Sequence, residues 1–453
     1  MISKMVSPID GRYYNEIREL EDFFSEWALI KYRVKIEVEW LITMSKSKWF
    51  AEVRSFSPEE ILLLRNLVNR FNDSEALKIK EIEKITKHDV KAVEYYLKDI
   101  IKNSSLKDIT EFVHFGCTSE DINNLSYALI LMNGITSVWL PRAQQLVDLV
   151  AQNAEKYKDI AMLSHTHGQP ATPTTVGKEL AIFVYRWRRQ LNYLNKIEYF
   201  GKFNGAVGNF NAQYIAYPEV PWEDIAKSFV EGLSLAYYPL TTQIEPHDYM
   251  AECFHTINRF NNVTLDFNID MWLYISLGYF KQSATSEEIG SSTMPHKVNP
   301  INFETSEANI GLSNTILSHL ADKLQISRLQ RDLSDSSSKR NIGTGIAHSL
   351  ISLNYTYRGV KQLSISQETI DNELSDSWEV LGEAIQTVMR KNGYSNPYEI
   401  LKKLMRGNKV TCGDIIKFVN KLDIPENEKK HLLELTPATY TGIASKLVNW
   451  IHQ

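Results

Sequence analysis

Five long stretches of this chain repeat apolar residues at spacings of three and four, and that repetition limits what it can fold into. In the clearest, Val176, Leu180, Phe183, Val184, Trp187, Leu191 and Leu194 share one stripe, with Lys178, Arg186, Arg188 and Arg189 mostly off it. The spacing predicts a helix that opens at Pro173, where a missing N–H has no helical partner to lose, and runs to about Phe200. Similar patterns cover about 119–157, 248–280, 303–324 and 342–363. Globular helices average about 11–12 residues, so several of this length predict an all-α chain with a long central helical bundle. Strand-like alternation is scarce. Three domains are expected: an N-terminal helical domain (1–115), a central long-helix domain (116–366) and a smaller, more charged helical domain (367–453).

A chain of 453 residues can bury a large core. Its net charge of −5 gives no broad reason to bind nucleic acid or an anionic membrane surface. Three scattered cysteines, Cys117, Cys253 and Cys412, form no CxxC pair. They suit a reducing compartment and argue against a disulfide framework or a cysteine-rich zinc site. The first residues are charged and lack the apolar run of a secretory signal. No stretch reaches the ~18–20 apolar residues that span a bilayer. A cytoplasmic protein is expected.

The stretches between helices hold the chemistry, since loops on a rigid scaffold often carry function. They are read at 163–170, 201–221, 283–300 and 329–343. The 283–300 stretch holds Gly290, hydroxyl residues, His296, Lys297 and Asn299. Free backbone N–H groups and a fixed positive charge can stabilise developing negative charge on an anionic substrate. The same composition also suits a solvated surface loop. His165 and His167 can serve as acid or base, as half a metal site, or structurally. No HExxH appears, and no carboxylate is spaced nearby as a third ligand. Thr118 or Ser119, followed by Glu120 and Asp121, reads as a helix cap. Such a terminus can also hold a carboxylate or phosphate. The run 331–340 packs Arg331, Lys339 and Arg340 with four serines, either as a charged surface loop or as donors to phosphate oxygens. Neither a P-loop nor a GxGxxG is present.

Together these segments resemble one family. Gly290-Ser291-Ser292-Thr293-Met294-Pro295-His296-Lys297-Val298-Asn299-Pro300 is similar to the signature loop of the fumarase/aspartase superfamily, whose members make or consume fumarate. Within it, Lys87-His88-Asp89-Val90, Thr118 to Asp121, His165 to Glu179, Gln243 to Asp248 and Arg331 to Arg340 resemble the adenylosuccinate lyase family. So does the start from Ser7 to Tyr13, in its bacterial form. The likeness spans nearly the whole chain. His165, Lys87 and Thr305 stand where relatives often carry Arg, Asn and Asn.

The resemblance implies a three-domain, all-α homotetramer whose active sites are shared between subunits. It implies β-elimination of fumarate from adenylosuccinate, giving AMP, and from the succinyl-carboxamide ribotide SAICAR, giving AICAR, in purine biosynthesis. No metal or organic cofactor is needed. Ser291 is the implied base, chosen over its neighbour Ser292 by its place in the signature. His167 is the implied acid to the leaving nitrogen, and Glu304 orients it. Thr118, Ser119, Gln243, Lys297 and Asn299 would hold the succinyl portion. His88 would lie near the phosphate and carboxylate end, and Lys87, Asp89, Ser292 and Thr305 would be further substrate-binding residues. Arg12, Tyr13, Arg331, Ser336 and Arg340 would hold the nucleotide. The nearest rival is argininosuccinate lyase, against which the 331–340 run argues because argininosuccinate carries no phosphate. The other is a non-catalytic relative that has kept only the fold.

Overall fold

The long apolar stripes fold as helices with their apolar faces buried. Val176, Leu180, Phe183, Val184, Trp187, Leu191 and Leu194 are each at most 5% exposed. The computed structural model describes residues 5–283, 294, 297–405 and 409–452. The main helices, in chain order, are α1 (Glu26–Lys46), α2 (Asp73–Thr86), α3 (Asp89–Ile101), α4 (Ser119–Gly134), α5 (Leu140–Lys156), α6 (Val176–Leu194), α7 (Asp248–Ser276), α8 (Ile301–Leu324), α9 (Ser334–Lys339), α10 (Ile342–Lys361) and α11 (Gln367–Asp376). A single π turn, Ile135–Trp139, joins α4 to α5, so the pattern read over 119–157 is one helical run with an inserted residue. The fold is all-α in character.

Several element ends differ from the sequence reading. The helix expected from Pro173 starts at Val176. Pro173 instead lies in strand β2 (Gln169–Thr175), opposite Leu163 of β1 (Ala161–Thr166). A two-stranded ribbon is all edge, so a residue without an N–H is tolerated there. The stretch 163–170, read as a loop, is therefore the end of a β-hairpin. Three other overextended patterns stop where short strands begin. Phe200–Gly201 (β3) pairs with Ala236–Tyr237 (β4), and Phe280–Gln282 (β5) pairs with Leu363–Ile365 (β6). Apolar residues in these strands continue the helical rhythm by coincidence, and Gly278 at φ 78° breaks the backbone before β5.

The chain divides into two units. The first comprises Met1–Ala143, Gln190–Asn261 and Ala308–Asn354; the second comprises Gln144–Arg189, Asn262–Glu307 and Tyr355–Gln453. In the first, buried polar side chains tie α7, α8 and α10 together. Asn261 Nδ2 donates to Ser313 Oγ (3.1 Å), Ser349 Oγ donates to Asn261 Oδ1 (2.8 Å), and Trp139 Nε1 donates to Ser349 Oγ (2.8 Å). Asn258 reaches Ser318 (2.9 Å), so α8 runs antiparallel to α7. In the second unit, Asn268 Nδ2 donates to Ser306 Oγ (2.8 Å) and Thr356 Oγ1 to Asn268 Oδ1 (3.0 Å). Apart from Asn258 Oδ1, which has no hydrogen-bond partner among the described residues, these groups bond one another, and such a buried network fixes helix register where apolar packing alone tolerates sliding.

The C-terminal segment adds α12 (Gly382–Lys391), α13 (Pro397–Met405), α14 (Cys412–Asn420) and α15 (Glu426–Glu434) around a core of its own, including Leu381, Ile385, Met389, Leu401, Ile415, Val419 and Leu432. Among the described residues no helix is long and apolar enough to cross a membrane.

Gly177 marks the closest backbone approach in the second unit. A Cβ there would lie 2.2 Å from the Ala154 carbonyl oxygen and 2.4 Å from Lys158 Cα. Gly177→Ala must therefore push the start of α6 off the end of α5. The expected cost is about 1–3 kcal/mol, the usual penalty of overpacking, seen as a lower Tm; an unchanged Tm would show that the two helix ends move freely.

Candidate active site

The N-terminus of α4 organises the first unit's candidate residues. Thr118 is its N-cap, and the Thr118 N–H donates to Asp121 (2.8 Å). The two acidic residues of this first turn are buried, with Glu120 1% and Asp121 0% exposed. Each holds a different segment. Asp121 pairs with the buried Lys202 ammonium at 2.8 Å and accepts from the Asn204 N–H at 3.1 Å and the Gly205 N–H at 3.2 Å. Glu120 pairs with Arg331 at 2.5 Å and with Lys339 at 3.0 Å. Burial pushes the Glu120 carboxyl up, but Lys339 and then Arg331 more than reverse this, bringing it down to about 2.

The corner between α2 and α3 supplies a second set. Lys87 sits in the left-handed region (φ 55°) as the C-cap of α2, and His88 is the N-cap of α3. His88 Nδ1 accepts from the Lys91 N–H at 3.2 Å. That bond leaves the proton of the neutral ring on Nε2, on an exposed side chain. Asp89 pairs with Arg33 at 2.7 Å and with Arg340 at 3.3 Å. Burial raises its pKa, but Arg33 outweighs burial and holds the carboxyl below its usual range. Arg331 and Arg340, at the two ends of the basic run, are thus each held by a carboxylate from a helix start. Between them Ser336, partly exposed, lies within α9. Gln243 stands beside this run: its N–H donates to the Gln330 carbonyl (3.3 Å), and its Nε2 donates to the Ala206 carbonyl (2.8 Å). Arg12 is exposed and lies 5.9 Å from the centroid of the Tyr13 ring.

In the second unit, His167 stands at the tip of the β1–β2 hairpin. His167 (φ 53°) and Gly168 (φ 71°) are the two turn residues, and Thr166 pairs with Gln169. Two successive positive φ values define a type I′ turn, whose twist matches that of the strands. The turn leaves the His167 imidazole exposed. The hairpin is anchored below by His165, 3.7 Å from Glu373 of α11, and Tyr279 hydrogen bonds the same carboxylate. Glu304, in the first turn of α8, accepts from Trp272 Nε1 (3.1 Å), so within one chain its partner is Trp272 rather than His167. Thr305 and Asn299 are partly exposed, and Lys297 is exposed, its N–H donating to the Met294 carbonyl (3.1 Å). Ser291, Ser292 and His296 lie outside the described residues.

Several contributors were not singled out from the sequence. Glu120, His247 and Asp335 place ligand atoms within 4.8 Å of one another, a spacing that fits a metal ion. The centre of that group is occupied by the Lys339 ammonium, 2.8 Å from Asp335, 3.0 Å from Glu120 and 3.4 Å from His247. Burial, and then Lys339, push the His247 pKa down to about 3, so the ring is neutral. Burial pushes Glu245 up to about 8. All of these lie inside motifs noted in the sequence; burial, which only the fold supplies, separates them from their exposed neighbours.

Comparison with known proteins identifies the family and the fold. A family model described as Lyase matches residues 11–314, and one described as Adenylosuccinate lyase C-terminal matches residues 327–441. Among solved structures, the fumarate lyase of Mesorhizobium sp. BNC1 superposes with a TM-score of 0.77 at 17% identity, covering 96% of this chain and 97% of that one. The 3-carboxy-cis,cis-muconate lactonizing enzyme of Pseudomonas putida gives 0.75 at 18% identity, covering 95% of each. The fold is that of the fumarase/aspartase superfamily of lyases. Adenylosuccinate lyases of Haemophilus influenzae and Escherichia coli K12 are 51% identical over 444 residues and 50% identical over 445, covering 98% of this chain and 97% and 98% of theirs. The chain belongs to the adenylosuccinate lyase family, a family of C–N lyases.

Glu245 gives a test of the buried electrostatics. Unfolded, its carboxyl titrates near ~4.3; folded, it does so at about 8. Across that interval the native state keeps a proton that the unfolded state has lost, so stability falls as pH rises. Glu245→Gln removes this dependence, and its Tm should gain on that of the native chain between about pH 5 and pH 8. A Tm difference that is the same at both pH values would contradict the burial of this group.

Proposed function

We propose that this chain cleaves adenylosuccinate to AMP and fumarate, and SAICAR to AICAR and fumarate, in purine nucleotide biosynthesis. The observation that carries the reading is the held pair of arginines. Arg331 on Glu120 and Arg340 on Asp89 present two held guanidinium groups on either side of the serine-rich helix α9. Oriented arginines and hydroxyls suit a phosphate monoester, which both purine substrates carry and argininosuccinate does not. Arg12, Tyr13, Lys87, His88 and Ser336 complete the nucleotide end, with Thr118, Ser119, Gln243, Lys297, Asn299 and Thr305 around the succinyl group.

The hard step is removal of a weakly acidic proton from the carbon next to a carboxylate. Ser291 takes that proton, with Ser292 beside it. A serine serves as base only if donors and positive charge lower its pKa, which Lys297 and the backbone N–H groups of its loop would do. The electron pair left on carbon is delocalised onto the carboxylate, where those same donors stabilise it. It then forms the fumarate double bond as the C–N bond breaks, and the departing nitrogen takes a proton from His167. A turn that leaves the imidazole exposed suits that role, and Glu304 would orient the ring as a carboxylate does in a triad. Within one chain Glu304 is engaged by Trp272; the proposed His167–Glu304 pair is one between subunits of a homotetramer whose active sites would combine residues of several chains. The division into domains at about 115 and 366, and a cytoplasmic location, belong to the same reading.

A fumarate-release assay with adenylosuccinate, and argininosuccinate in parallel, tests it. Fumarate is expected from the first only; release from argininosuccinate alone would overturn the phosphate-site reading. His167→Ala should lower kcat by about 10²–10⁴-fold, the usual worth of general acid catalysis, and an unchanged kcat would remove His167 from the chemistry.

A further inference from the structure

Glu120 does more than fill a helix terminus. It is 1% exposed, and its two oxygens serve two cations: Oε2 lies 2.5 Å from Arg331 Nη1 and Oε1 lies 3.0 Å from Lys339 Nζ. Lys339 is buried and already has a second carboxylate, Asp335, at 2.8 Å. His247 beside them is neutral and Glu245 largely protonated, so Glu120 and Asp335 carry two negative charges for one lysine. Arg331 balances the group. Its side chain is 18% exposed; Nη1 meets Glu120 as an ion pair without hydrogen-bond alignment, and Nε has no hydrogen-bond partner among the described residues. The loop that carries it is held independently, because Asp332 accepts from the Ser334 N–H (2.7 Å) and the Arg328 N–H (2.9 Å). Glu120 therefore fixes the direction of the Arg331 guanidinium on a turn whose local shape does not depend on that contact.

We infer that Glu120 is a positioning residue for substrate binding. It holds Arg331 so that the remaining N–H donors face the substrate phosphate, while Lys339 keeps Glu120 ionised in its buried site. The inference rests on the reading of Arg331 as a phosphate ligand. A guanidinium already held by a carboxylate loses little rotamer freedom when the phosphate arrives. The phosphate is remote from the C–N bond, so this contact is equally present in the ground state and the transition state. Its loss then raises KM and leaves kcat alone.

Steady-state kinetics with adenylosuccinate on the assembled enzyme test this. Glu120→Gln keeps the shape and removes the charge. It should raise KM by about tenfold, the scale of one charge-assisted hydrogen bond, with kcat changed less than about twofold. Arg331→Met should raise KM at least as much, and Glu120→Gln/Arg331→Met should be no worse than Arg331→Met alone, because the two act as one device. Glu120→Gln alone leaves an excess of positive charge in this group and should lower Tm. The charge-balanced pair Glu120→Gln/Lys339→Met should restore Tm while KM stays high. The inference is overturned if Glu120→Gln leaves KM unchanged, if its effect multiplies with that of Arg331→Met, or if KM recovers along with Tm in the balanced pair. An unchanged KM in Arg331→Met would overturn the phosphate reading itself, and the inference with it.

Discussion

Two adjacent carboxylates in the first turn of α4 are the constraint from which the candidate binding region follows. A helix N-terminus favours negative charge, but these groups are buried, and a buried charge is costly unless it is paired. Asp121 meets that demand with Lys202 and the backbone N–H groups of Asn204 and Gly205. Glu120 meets it with Arg331 and Lys339. Two segments distant in sequence are thereby fastened to one helical turn. The stretch after β3 carries Ala206, to which Gln243 donates, and the run 331–340 carries the basic residues. Removing Asp121 would strand the buried Lys202, and removing Glu120 would leave Arg331 without its carboxylate.

The histidine proposed as acid is presented by a different device. A type I′ turn requires two residues with positive φ, and here one of them is His167 itself, beside Gly168. A histidine in the left-handed region carries a strain that glycine would not. The hairpin below tolerates it because His165 and Tyr279 both engage Glu373 of α11. Helix α11 thus holds the base of the hairpin that carries His167.

The long helices were legible because a stripe such as Val176 to Leu194 needs only a period of 3.6 and enough length to express it. Their ends were less legible. Pro173 is as compatible with a ribbon edge as with a first helical turn, and only its pairing with Leu163 decides between the two. The motif residues were equally visible as residue types, yet Glu120 reads in sequence as an ordinary first-turn acid and Lys339 as one more surface cation.

By itself, then, the sequence determined the helical class of the fold, the places where chemistry-bearing residues gather and, through its signature loop, the kind of reaction they serve. The first two are properties of local spacing and residue type, which a linear chain expresses directly; the third rests on the loop's resemblance to that of a known family. The tertiary structure alone decided which charges are buried together: that Lys339 occupies the centre of the Glu120, Asp335 and His247 group, that Arg331 and Arg340 each answer to a carboxylate, and that Glu245 keeps its proton well above its usual range. Those outcomes depend on distances between residues up to 251 positions apart and on the exclusion of water around them. Neither quantity exists until the chain has folded.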